Sequence, residues 1–193
     1  MGFFDLFKTK PQNNTKKAIA NQDKLLELLT NSRNQYEKDG DIKSLLNTYE
    51  YVFFESKVNL NAQTHALYPA EQCYKIGENN LAWGYLNQLS LSNAAPLSKV
   101  RFLQAKILKK EKKYQDAIHM YMLGYLDKSK WNQSLQIDMF KKDIQSCVNK
   151  LKWENDTPDY LADFLEKQIK AGDFNENKIT SMMQNFVERM NNG

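Results

Sequence analysis

Apolar residues recur at three- and four-residue steps along almost the whole chain, the spacing that places them on one face of a helix. Ile19, Leu25, Leu26, Leu29 and Tyr36 mark a first helix from about Lys16 to Lys38, which Gly40 ends by tolerating the left-handed backbone past a helix terminus. Leu45, Leu46, Tyr49, Val52 and Phe53 form one broad face of a second helix starting near Ile42. The next hairpin runs from about Ala62 to Ile76, stops at Gly77 and resumes from Asn80 to Leu91. Pro69 falls inside its first helix and either kinks that helix or marks a later start near Pro69 itself. A break at Asn93 to Pro96 precedes helices over about 97–112 and 114–126. Beyond Lys128 the same steps continue through Trp131, Leu135, Met139, Phe140, Ile144, Cys147, Val148 and Leu151. Thr157-Pro158 reads as a helix start, threonine as cap and proline in the first turn. That helix carries Leu161, Phe164, Leu165 and Ile169 and ends at Gly172. A last one, roughly 177–190, presents Ile179, Met182, Met183, Phe186 and Val187. The pattern predicts about eight helices.

Composition agrees. Seven glycines and four prolines are too few to punctuate an all-β chain of 193 residues, so the expected class is all-α. The expected organisation is an apolar N-terminal segment and polar linker over residues 1–17, followed by a single domain over 18–190. The net charge of +4, from 27 basic and 23 acidic residues, is too small to argue for nucleic acid by itself. Cys73 and Cys147 have no CxxC partner and read as buried thiols in a reducing compartment. No apolar run approaches the ~20 residues that span a bilayer, and the N-terminus lacks the pattern of a secretory signal. The expected location is the cytoplasm.

The hairpins echo one another. Ala70 and Ala105, Cys73 and Leu108, Ala82 and Ala117, and Leu86 and Tyr121 are each 35 residues apart. A fixed period of this length signals stacked supersecondary units, which present extended surfaces to other molecules. An earlier copy, YEKDGDIKSLLNTYEYV, supplies Gly40, 37 residues before Gly77.

These units resemble tetratricopeptide repeats. The best match is LQAKILKKEKKYQDAIHMYMLGYL, in which Ala105, Leu108, Tyr114, Ala117, Tyr121 and Gly124 stand at the family's small and aromatic positions. The preceding hairpin matches through Ala70, Gly77, Ala82 and Leu86. The chain departs from the family in having Lys112 where glycine is usual and in lacking its first-helix tryptophan. The resemblance implies antiparallel hairpins stacked as a short right-handed superhelix or bundle, with the best repeats over 62–128 and divergent helices over 131–190. It also implies a non-catalytic protein-interaction module, of the adaptor, chaperone or immunity type, in a bacterial cytoplasm. Lys99 and Asn34 fit the family's carboxylate-binding stations, but Thr30, Tyr68 and Leu103 replace others, so that specificity does not carry over.

The candidate binding residues follow from the basic run KVRFLQAKILKKEKK, which holds one acid, Glu111. Lys99, Phe102, Lys106, Lys109 and Lys110 lie on neighbouring helical turns. By the resemblance they face the groove, with Tyr74 and Lys75 on the equivalent side of the preceding repeat and Tyr121 as a further aromatic contributor. A basic, aromatic groove suits an acidic peptide. Single-stranded RNA is the alternative ligand, and Glu27, Glu37 and Glu71 on the same face weigh against it. His65 and His119 belong to no metal or catalytic motif, and His119 reads as a polar surface residue; no phosphate loop or nucleophile elbow occurs. No catalytic residue, metal or cofactor is expected. Phe3, Phe4 and Phe7 of MGFFDLFK have three competing uses: capping the helical stack, inserting into a membrane interface, or docking on a partner.

Overall fold

A computed structural model describes residues 12–56, 65–130 and 133–192, with side chains from residue 21 to residue 191. The apolar N-terminal segment with Phe3, Phe4 and Phe7, and Trp131, lie outside the described residues. The described residues are all-α: α1 (Gln12–Asp39), α2 (Ile42–Glu50), α3 (Tyr68–Ile76), α4 (Asn79–Ser92), α5 (Leu97–Lys110), α6 (Tyr114–Ser129), α7 (Ile137–Leu151), α8 (Thr157–Lys170) and α9 (Glu176–Asn192). They hold nine α-helices, where about eight were expected. Helix α1 begins inside the stretch read as linker, because Gln-Asn-Asn-Thr-Lys-Lys contains neither glycine nor proline to stop it.

Several starts have local causes. Asp41 caps α2, its carboxylate accepting from the backbone N–H groups of Lys43 (3.1 Å) and Ser44 (3.2 Å). The end of α2 widens into a π-helical turn, Tyr51–Glu55, closed by the Ser56 N–H on the Tyr51 carbonyl at 2.9 Å. This change of phase leaves both Phe53 and Phe54 half-buried, one against Tyr49 and the other 5.5 Å from the Tyr85 ring. Pro69 marks the later start: α3 opens at Tyr68 with the proline in its first turn. Thr157 is not the cap of α8 but its first residue, with its side chain buried, and Asp156 holds the cap position.

The hairpin turns share one geometry. Gly40, Gly77, Lys112, Lys152 and Gly172 all have positive φ, between 56° and 88°. After four of them the next N–H reaches back five residues: Glu78 to Cys73 (2.8 Å), Lys113 to Leu108 (2.9 Å), Trp153 to Val148 (3.2 Å) and Asp173 to Gln168 (2.9 Å). These bonds satisfy carbonyls that a helix end leaves open. Lys112 adopts the left-handed conformation without being glycine, a strain of about 1–2 kcal/mol, so packing of the hairpin sets the turn.

From α1 to α8 each helix packs on the next, and α9 turns back against α6. Two apolar clusters result, one spanning α1 to α5 and one α5 to α9, and Trp83 is packed against both. Where they meet, Arg101 of α5 points inward rather than joining the surface lysines. Its guanidinium lies 2.8 Å from Asp127 of α6 and 2.7 Å from Glu176 of α9, and Lys130 adds a second cation 2.7 Å from Asp127. This network ties three helices together; leaving Asp127 buried without Arg101 would cost about 3–5 kcal/mol.

Helices α5 and α6 approach closely because Ala105 and Ala117, both fully buried, and Gly124 offer little bulk. A Cβ at Gly124 would lie 2.7 and 2.8 Å from two carbons of the Phe102 ring. That ring is hemmed by Tyr125 (4.9 Å between centroids) and Tyr121 (6.4 Å). Gly124→Ala gains roughly 0.5–1 kcal/mol of helix preference but overpacks by about 1–3 kcal/mol. The expected net loss is about 1 kcal/mol, read in urea or thermal unfolding as a midpoint about 2–4 °C lower. A stabilised variant would show that α5 and α6 are not in forced contact.

Candidate functional site

The packing of α4 on α5, with the contact of Lys110 on Tyr74, sets a groove between α3 and α5, the first helices of two successive hairpins. Its hollow, about 470 Å³, is lined by Leu67, Glu71, Tyr74 and Lys75 of the α3 segment and by Lys99, Phe102, Leu103 and Lys106 of α5. The structure thus brings together five of the eight residues singled out from sequence: Tyr74, Lys75, Lys99, Phe102 and Lys106. Tyr74 and Phe102 are half-buried and form the floor with Leu67 and Leu103, while the three lysines are exposed at the rim. Three lysines face one carboxylate, Glu71, so the rim is cationic. Seven residues separate Lys99 from Lys106, a rise of about 10.5 Å along α5 with Phe102 between them.

The other three expectations are corrected. Lys110 is committed to the protein itself: its Nζ donates to the Tyr74 carbonyl at 3.1 Å and lies 4.9 Å from the centre of the Tyr74 ring. It adds a second donor to a carbonyl at the end of α3 that also accepts from the Gly77 N–H at 3.3 Å, and it steadies the aromatic floor. Lys109 is half-buried and faces α7, where its charge opposes the effect of burial on the Cys147 thiol. Tyr121 is buried at 4% exposure in the α5–α6 interface, where desolvation, then Asp143, pushes its phenol ionisation upward. It supports Phe102 from behind rather than meeting a ligand.

Sequence reasoning missed the roles of Leu67 and Leu103. From sequence Leu103 reads only as a departure from a carboxylate-binding pattern, although its place four residues after Lys99 and three before Lys106 puts it on the same helical face. The histidines sit elsewhere. His65 is exposed, its Nδ1 2.8 Å from an Arg33 nitrogen. His119 is half-buried between α6 and α9 rather than at the surface, with Nε2 3.1 Å from Thr180 Oγ1, and burial lowers its pKa. Among the described residues no three His, Cys, Asp or Glu side chains gather as metal ligands.

Compared with known protein families, with curated proteins and with solved structures, the chain matches none.

Cys73, one residue before Tyr74, is fully buried behind the groove. Burial, and secondarily Glu78, pushes its thiol from the ordinary 9.0 to about 11, so it is protonated at neutral pH and a poor nucleophile. An aromatic disulfide reagent at pH 8 is expected to leave Cys73 unmodified in the native chain and to modify it in denaturant. The unfolded chain releases this proton first, so stability should fall as pH rises from about 9 to 11. Rapid modification of Cys73 in the native protein would contradict the burial assigned here.

Proposed function

We propose that this chain is a tetratricopeptide-like, non-catalytic protein-interaction module that captures an acidic peptide segment of a partner protein in the α3–α5 groove. The reading is of an adaptor, chaperone or immunity-type protein working in a bacterial-type cytoplasm. The observation that carries it is the pairing of an apolar floor, Leu67, Tyr74, Phe102 and Leu103, with a rim of Lys75, Lys99 and Lys106. Left-handed turns at Gly40, Gly77 and Lys112, 37 and 35 residues apart, support the repeat reading. Among the described residues no helix is long and apolar enough to cross a membrane.

The division of labour follows from magnitudes. Each exposed lysine paired with a carboxylate contributes about 0.2–1 kcal/mol, whereas an apolar side chain buried on the floor contributes about 1.5–3 kcal/mol. The anchor therefore supplies most of the affinity, and the lysines attract and select acidic partners. Two observations favour peptide over RNA: Glu71 lines the groove, and Lys109 and Lys110 are turned away from it.

A synthetic peptide with a leucine flanked by glutamates serves as the probe. Lys99→Glu combined with Lys106→Glu is expected to weaken its binding by roughly tenfold or more without shifting the unfolding midpoint, since both side chains are exposed. Raising salt from 50 to 200 mM should cost the peptide about tenfold or less, against the 10³–10⁵-fold expected for a chain of six to ten phosphate contacts. Unchanged peptide affinity in the double variant would refute the groove, and the larger salt loss with an RNA probe would favour the nucleic-acid reading.

A further inference from the structure

Half-buried Arg33 ties α1 to two other parts of the protein. Its Nε donates to the Tyr49 hydroxyl of α2, and its Nη2 lies 2.8 Å from Nδ1 of His65, just before α3. Between these bonds the guanidinium rests on the Tyr68 ring, 4.3 Å from its centre, and Tyr68 in turn stacks on Tyr49. A turn produces the arrangement. The Tyr68 N–H donates to the His65 carbonyl at 3.1 Å, which brings both side chains to one guanidinium.

The Arg33–His65 bond admits one protonation state. A guanidinium has five N–H donors and no acceptor, so His65 Nδ1 must accept, and it accepts only when it bears no proton. The proton of the neutral ring is therefore on Nε2. An imidazolium carries a proton on both nitrogens; it cannot accept, and it sets a second positive charge beside Arg33. The groups around the pair do not compensate. Arg33 makes no ion pair among the described residues. Facing it are Tyr36 and Glu37 of α1, Tyr49 of α2 and Tyr68 of α3. Burial pushes the Tyr49 and Tyr68 phenols up, so both stay neutral across the range of about pH 5 to 8 in which histidines change charge. Glu37 is exposed, so water and salt screen what it offers a second cation.

The seat of α1 is light enough for one bond to matter. Leu25 and Leu29 reach the first apolar cluster and Tyr36 packs on its edge, whereas Leu26 and Leu28 are exposed. We propose that Arg33 and His65 form a proton-sensitive latch: neutral His65 holds α1 against α2 and the start of α3, and a proton on His65 frees α1. An element held by few buried contacts opens at low free energy, so the loss of one charge-assisted bond changes its open population about tenfold. Opening withdraws Leu25 and Leu29 from the first apolar cluster and lets water reach it. The latch is separate from the α3–α5 groove, which none of its residues lines.

The test is backbone amide hydrogen exchange on the full chain between pH 8 and pH 5, expressed as protection relative to the intrinsic rate at each pH. Protection over residues 25–36 of α1 is expected to fall about tenfold on acidification, while α4 keeps its own and shows that the fold is intact. His65→Gln supplies a side-chain carbonyl that accepts from Arg33 at every pH, and it should abolish the fall. His65→Lys sets a permanent cation beside Arg33, and it should give the weak α1 protection already at pH 8. His119, the other histidine, sits between α6 and α9 and is present in all three chains, so its titration cannot separate them. Protection of α1 that is absent at pH 8 or unchanged at pH 5 would overturn the proposal. An equal fall in His65→Gln would overturn it as well.

Discussion

The contact between Phe102 and Gly124 is the constraint on which the rest of the structure depends. Only a residue without a Cβ lets the α6 backbone sit against that ring, and Ala105 and Ala117 continue the close approach along the same pair of helices. Once α5 is pinned in this way its rotation is fixed. Arg101 then points into the protein towards Asp127 and Glu176, and Lys99 and Lys106 point out. The same ring forms part of the groove floor. Tyr125, edge-on to Phe102, donates from its hydroxyl to Asp143 of α7 at 2.8 Å, so the floor is braced by three helices.

A groove built on such a scaffold loses little entropy when it binds, because its aromatic floor is already ordered. Lys110 contributes to that order, holding Tyr74 through its carbonyl and its ring. The two basic roles on α5 are therefore distinct: exposed lysines present charge at the rim, while Lys110 and Arg101 hold helices together. Arg101 carries the greater structural weight, since its partner Asp127 is buried and an unpaired buried carboxylate is costly.

Much of the fold was legible because hydrophobic period and turn chemistry agree. Glycine at 40, 77 and 172 marked turns that the structure closes with left-handed residues. Lys112 and Lys152 occupy the same backbone conformation without the residue that announces it, and there only packing reveals the turn. The lysine run was legible as a cluster but not in its directions. A step of three or four residues on a helix turns the side chain by up to 60°, enough to move Lys109 towards α7 and Lys110 onto Tyr74 while Lys106 stays at the rim. His119 was misplaced for a related reason: its burial between the non-consecutive helices α6 and α9 is a tertiary property that local spacing does not encode.

The central claim is that α5, fixed by its contact with α6, presents the binding surface together with α3. The most direct measurement is amide chemical-shift mapping on the full chain during titration with the glutamate-flanked leucine peptide. The account predicts saturable shifts concentrated on residues 67–75 and 99–106, with Phe102 among the largest. Shifts confined to α1 and α2, or no shift within 99–106 at saturation, would contradict it.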